Sequence, residues 1–372
     1  MNYRIFATFI LIALFFPYST HSTAKNQLLP PISAQKTFFV HPDGNDQAVN
    51  TLKTPFASIQ RAMDIAQPGD TILLLPGEYL QDIATVRDGL PNEPIRIVGM
   101  PRVVVKGAGK TSIFDIRHSY IELSHFIIDG LFSSRALATN FRKKLVYIKG
   151  QKGKGITGVK LLYMEIKNAR DECIRVKYQA QNNEVAYSHI SYCGIEDYRF
   201  SDGTKSHNGE AVYIGTAPEQ IAAGKNPTLD VDHSDQNWIH HNTFKPYASE
   251  CVDVKEGSSL NIIEHNICMY EQDLNVGGIS IRGNENTVRH NHVAANLGAG
   301  IRLGGDTAND GINNHVYGNY LKDNKNSGLK IMRGPQGKIC DNTIITLKDQ
   351  IQVRVKANMD KNLYTGKCVD KK

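Results

Sequence analysis

Two short segments hold most of the residues that could do chemistry. Glu250-Cys-Val-Asp-Val-Lys255 places three kinds of ionisable side chain close together, and Ile279-Ser-Ile-Arg282 adds an arginine one repeat later. Related segments carry Arg175 and Lys177, Glu210 and Tyr213, Arg302, then Lys330 and Arg333. Arginine suits a carboxylate because its planar fork meets both oxygens. A lysine can act as a base only if its pKa falls well below the model value of about 10.4. Arg282 and the other cations push Lys255 down; Asp253 pushes it up. Such groups suit β-elimination in a uronate chain. The carboxylate must be neutralised so that the C5 proton becomes acidic, a base must take that proton, and the leaving oxygen must be stabilised. Lys255 fills the place of the base and Arg282 that of its partner. The remaining cations, with Tyr213 and Asp253, read as substrate-binding.

These residues are positioned by a repeat. Gly209-Glu-Ala-Val-Tyr-Ile-Gly215, Glu250-Cys-Val-Asp-Val-Lys-Glu256 and Gly277-Gly-Ile-Ser-Ile-Arg-Gly283 are one pattern written three times. Between them stand Asn237-Trp-Ile-His-His-Asn242, Asn261-Ile-Ile-Glu-His-Asn266 and Asn286-Thr-Val-Arg-His-Asn291. The closing Asn recurs at 242, 266, 291, 319 and 342, in steps of 24, 25, 28 and 23 residues. A period of this size marks a solenoid, and strand alternation within it makes that solenoid β rather than helical. One unit cannot bury its own apolar face. Stacking in register puts Val252 under Val212 and over Ile279, and lets each Asn bond the next along a ladder.

The alternation separates two faces. Ile174/Val176, Val212/Ile214, Val252/Val254, Ile279/Ile281, Ile301/Leu303 and Leu329/Ile331 point inward. Arg175, Lys177, Tyr213, Asp253, Lys255, Ser280, Arg282, Arg302 and Lys330 point outward, stacked about 4.8 Å apart per coil. A merely solvated face mixes both signs. This one is strongly basic, which favours an extended acidic polymer as partner. Nucleic acid is not expected, because the column has a single aromatic and the chain carries no nucleic-acid motif. Glu172, Glu210 and Glu250 fall at inward parity. They are expected at the corner before the strand, either as a hydrogen-bonded column or as site walls and metal ligands. His240, His241, His265, His290 and His292 are expected to stack at a turn.

Two resemblances follow from these residues. Asp43-Gly-Asn45, Pro55-Phe-Ala-Ser-Ile-Gln60, Pro68-Gly-Asp-Thr-Ile72, Pro76-Gly-Glu-Tyr79 and Pro94-Ile-Arg-Ile-Val98 resemble the N-terminal coils of the pectate-lyase-like superfamily. That implies an all-β, right-handed parallel β-helix over residues 37–355, without fixing an activity. Glu250…Lys255, with Arg282 one coil on, looks like the chondroitinase-B and alginate-lyase family of polysaccharide lyases. The likeness implies Lys255 as catalytic base and Arg282 as partner, and gives the Gly209-Glu210…Ile214-Gly215 segment a part in binding the substrate carboxylate. That family often completes a calcium site with a second acid where this chain has Ala248. Glu210, Glu250 and Asp253 remain as oxygens for Ca2+. The implied function is a polysaccharide lyase. The alternatives are a hydrolase or epimerase on the same scaffold, or a non-catalytic polysaccharide-binding protein.

The rest of the chain sets the context. Arg4, the apolar run from Ile5 to Phe16 and Ser22-Thr-Ala24 read as a secretory signal peptide over residues 1–24. The protein is therefore expected to be secreted or periplasmic, with no membrane insertion after cleavage, and monomeric. Residues 25–36 read as a linker and 356–372 as a basic tail or cap. Thr54-Pro55 predicts the start of a capping helix over 55–66. Residues 196–208, 216–236 and 303–313 read as loops walling the binding face. The 372 residues are 41% hydrophobic and 22% charged, with net charge +6, which fits a soluble protein with an acidic partner. Six cysteines in an exported chain suit disulfides, and equally suit buried thiols stacked in a solenoid.

Overall fold

A computed structural model describes residues 36–133, 140–195, 208–346, 350–354 and 366–368. The expected signal peptide, nearly all of the expected linker, most of the 196–208 loop and most of the expected C-terminal tail lie outside the described residues. The chain winds as a right-handed parallel β-helix. Each coil visits three sheets in turn. The first sheet has 11 strands, from Thr37–Val40 to Ile339–Cys340; the second has 10, from Gly77–Tyr79 to Thr343–Ile345. The third, also of 10 strands, runs from Ile83–Ala84 to Ile351–Val353 and carries the outward column of bases.

Short β-branched strands form here because every coil supplies the backbone partners of the next. Val212 pairs with Val252, and Val252 with Ile279. Their side chains, with Ile214, Val254, Ile281, Ile301, Leu303, Leu329 and Ile331, fill a continuous buried core.

The corners are held by ladders. Asn242, Asn266, Asn291, Asn319 and Asn342 join side chain to side chain at 3.0–3.1 Å, between the first and second sheets. A second ladder, of Asn183, Asn237, Asn261, Asn286 and Asn314, runs along the corner between the third sheet and the first. The opening Asn of each unit serves it, a role the sequence pattern had offered only to the closing one. At the third corner Asn324, Asn296 and Glu271 continue the device. It stops at Ala248, which follows Tyr247 as Glu271 follows Tyr270.

Left-handed residues mark each turn. Tyr163, Tyr187, His241, His265 and His290 all have φ of 54–56°. Their rings stack at 4.9–5.1 Å down the corner. The histidines at 241, 265 and 290 are thus structural, as expected. His240 instead faces Glu184 at 3.1 Å, and His292 meets Tyr320 edge-on.

The capping helix begins later than its sequence signals implied. It spans Ile59–Ile65, with Ser58 as the N-cap accepting from the Arg61 amide. Phe56 is extended, bonded to Phe39 and His41, so Pro55 cannot open the helix. Ile59, Ala62 and Met63 lie buried against the first strands, closing that end of the core. The cysteines pair as Cys173–Cys193, Cys251–Cys268 and Cys340–Cys368. The last pair fastens residues 366–368 to the final coils.

Candidate functional site

The outward face of the third sheet has two columns set by strand register. The first reads Asp115, Tyr147, Arg175, Tyr213, Asp253, Ser280, Arg302, Lys330 and Gln352. The second holds Lys149 and Lys177, then Gly215, then Lys255 and Arg282. Arg175, Lys177, Tyr213, Asp253, Lys255, Arg282, Arg302 and Lys330 thus lie on one face. Arg333 does not join them. Its guanidinium is spent on the carbonyls of Asp306 and Thr307, fixing the loop after Leu303.

At the centre, Lys255 Nζ lies 2.7 Å from Asp253 Oδ2 and 4.8 Å from the Tyr213 ring. Arg175 lies over the same ring at 3.4 Å. Burial opposes the charge on Lys255, yet Asp253 overrides it and holds the ammonium well above the usual lysine range. The opposing pushes visible in the sequence therefore resolve upward: a contact at 2.7 Å outweighs the more distant Arg282. Tyr213 is also pushed up, by burial, and keeps its proton. Its hydroxyl accepts from Gln220 at 3.3 Å.

Arg282 is held between Asp306 at 3.1 Å and Glu256 at 3.5 Å. Glu256, which the sequence reading passed over, is buried with one oxygen lacking a hydrogen bond. Its one signal was position: it follows Lys255 directly.

The three corner glutamates diverge. Glu172 is neutralised by Lys144 at 2.7 Å and Arg175 at 3.7 Å. Glu210 and Glu250 instead gather with Asp253, one oxygen from each within 4.8 Å of the others, and all three are buried. Burial first, and then the neighbouring carboxylates, push Glu210 up to about 8 and raise Glu250 as well. Asp253 Oδ2 is engaged by Lys255, while its Oδ1 accepts no hydrogen bond. Glu210 accepts from the Gly209 amide and Glu250 from the Ser249 hydroxyl, and the remaining oxygens of the three clustered carboxyl groups form a donor set that fits a hard cation.

The loop at 216–236 overhangs this face. It contains a short helix, Pro218–Ala222, and the Lys225 carbonyl accepts from Lys177 Nζ at 3.0 Å.

Residues 42–268 match the model of a family described as a protein of unknown function, DUF1565. That match spans more than half of the chain. The chain belongs to this family. No curated protein matches it in sequence. Among solved structures it is similar to an alginate lyase from Paenibacillus sp. str. FPU-7, at TM-score 0.60 and 17% identity, covering 86% of this chain and 100% of that one. It is also similar to pectate lyase Pel9A, at TM-score 0.54 and 14% identity, covering 87% and 78%. A GH136 lacto-N-biosidase from Eubacterium ramulus matches at TM-score 0.54 and 12% identity, covering 86% and 68%. At these identities the likeness is one of fold. The DUF1565 match takes in Arg175, Lys177, Glu210, Tyr213, Glu250, Asp253 and Lys255, while Arg282, Arg302 and Lys330 lie beyond it.

Proposed function

We propose that this DUF1565 protein is an exported lyase that cleaves an acidic, uronate-containing polysaccharide by β-elimination. The observation that carries this reading is the central constellation. Lys255 and Arg282 occupy adjacent coils of one outward column, beside protonated Tyr213 and a buried cluster of three carboxyl groups.

In this mechanism Arg282 faces the uronate carboxylate and draws off charge, which acidifies the C5 proton. Lys255, as the free amine, takes that proton. The electrons form the C4–C5 double bond while the bond from C4 to the leaving oxygen breaks. Tyr213 donates its proton to that oxygen. The binding column of Arg175, Lys177, Arg302 and Lys330 holds the polymer on either side. Asp253 keeps Lys255 protonated in the isolated chain, so the reaction requires its charge to be turned elsewhere. A calcium ion held by Glu210, Glu250 and Asp253 would supply that neutralisation and help offset the substrate carboxylate. The disulfides agree with an oxidising, extracytoplasmic setting.

A second reading is supported by the cluster itself. Glu210, held protonated at neutral pH beside other carboxyl groups, has the character of a hydrolase acid. One experiment separates the two. The mature protein is incubated with polygalacturonate, alginate, glucuronan and chondroitin sulfate, with calcium or with chelator. Absorbance of an unsaturated uronate, lost in Lys255→Ala while binding persists, supports the lyase. Turnover retained in Lys255→Ala removes that residue as base. Reducing ends without absorbance indicate the hydrolase, and no product with retained binding indicates a binding protein.

A further inference from the structure

Two coils from Lys255 the groove holds cations without counter-charges. Lys149 and Lys177 are register partners on adjacent strands, about 4.8 Å apart along the stack. Like charges placed directly opposite are destabilising, and natural sheets normally separate them. Among the described residues neither lysine has a carboxylate partner. Lys177 donates only to the Lys225 carbonyl, and Lys149 lies 5.9 Å from the Tyr147 ring.

The acids nearby are already engaged. Asp232 accepts from the amides of Tyr178 and Gln179 and from the hydroxyls of Thr216 and Ser234, at 2.6–3.1 Å. Glu172 is held by Lys144, and its contact with Arg175 is a longer 3.7 Å. Asp115 is committed to Arg117 at 2.9 Å. Arg175 and Lys177 are both nearly fully buried. Lys177 is thus buried with no carboxylate against its charge, and the half-buried Lys149 lies beside it.

Between this cluster and Lys255 the second column carries Gly215. A side chain is excluded there. Its φ is +84°, and an added Cβ would meet Ser258 Oγ at 2.3 Å. Ser258 takes the place a side chain would fill, so one coil without a cation separates Lys177 from Lys255.

We propose that Lys149, Arg175 and Lys177 form a second anion subsite, which takes an acidic group on the same polysaccharide. This deepens the proposed polyuronate reading and rests on it for the identity of the chain. The subsite makes affinity depend on at least two acidic groups in one ligand.

Burial, then Arg175 and Lys149, push Lys177 down to about 7, while Asp232 and Glu172 oppose this. An anion brought alongside favours the charged form. Binding above neutral pH should therefore draw a proton onto Lys177, and affinity should weaken as pH rises.

The test is titration calorimetry of the Lys255→Met protein in buffers of different ionisation enthalpy. Probes are a monomeric uronate, a homopolymeric uronate tetramer, and a sulfated oligosaccharide of the same length. The tetramer should bind at least about tenfold more tightly than the monomer and take up close to one proton above neutral pH. Lys177→Met should lose both effects. Lys177→Arg should keep the affinity and lose the uptake, because arginine stays charged. Preference for the uronate tetramer assigns the subsite to carboxylate, and preference for the sulfated probe assigns it to sulfate ester. Tetramer binding that is unchanged in Lys177→Met, with no uptake in the parent, overturns the inference even if turnover confirms the lyase. Proton-linked binding in a protein that makes no product sustains the inference while the lyase reading fails.

Discussion

Asp253→Asn should lower the pKa of Lys255 without changing the shape of the site. The ion pair spans 2.7 Å, and both groups are buried. At an effective dielectric of about 20, charges at that distance interact by about 6 kcal/mol. Relaxation and Arg282, which competes for the same carboxylate, reduce what is recovered. Half of the figure, about 3 kcal/mol, still equals about 2 pKa units. With Asp253 neutral, burial and Arg282 disfavour the ammonium, while Tyr213 and Glu250 still favour it. Lys255 should then titrate about 2 units below its position in the parent. Competitive labelling of amines, read by mass spectrometry across neutral to alkaline pH with chelator present, measures this directly. A Lys255 profile that is unmoved, or displaced upward, would refute the claim that Asp253 governs the lysine. The proposed base would then need another source of activation.

The carboxyl cluster and the ladders give two further expectations. Glu210 is raised to about 8 in the folded chain, so the folded protein binds more protons than the unfolded one from the ordinary carboxyl range up to that value. Stability of the metal-free protein should fall as pH rises through this window. Glu210→Gln should flatten the slope in thermal melts, and calcium should release protons near neutral pH; a slope unchanged in the variant contradicts the assignment. Asn291→Ala removes an amide that bonds Asn319, the Ile263 carbonyl and the Asn266 amide, all buried. Leaving those groups unsatisfied should cost about 2–4 kcal/mol in denaturant unfolding, whereas a loss under about 0.5 kcal/mol would show that the ladder adds little.

The fold was legible because its determinants are periodic. Val212, Val252 and Ile279 announce their stacking by parity alone, and the closing Asn announces its ladder by recurrence. The helix start was misread because Thr54-Pro55 carries the local signature of a cap, while the competing bond of Phe56 to Phe39 is long-range. In the candidate site, parity brought Lys255, Arg282, Tyr213 and Arg175 to one face. Parity could not give the balance of charge on Lys255, which depends on a side-chain distance. Nor could it separate Glu172 from Glu210 and Glu250. The three share one sequence position, but only Glu172 has Lys144 within reach. Glu256 and Asp232 were missed because their roles arise from loops, whose paths no repeat describes. The pairing of the cysteines was open because it joins residues 17 to 28 positions apart, with Cys268 and Cys340 lying within strands and their partners outside them.

The interruption of the third ladder at Ala248 bears on how such a chain can change. Two corners act as rails whose spacing is fixed by amide contacts, and where the 216–236 and 303–313 loops leave the second rail, Asn183 still meets Asn237 and Asn286 still meets Asn314. The corner that leads into the groove loses this constraint at the coil carrying Glu250 and Lys255. Extra chain can enter at that edge and leave the pitch of the rails unaltered. A lineage built on this scaffold can therefore remodel what the groove accepts, coil by coil, while the two rails continue to set the length of each step.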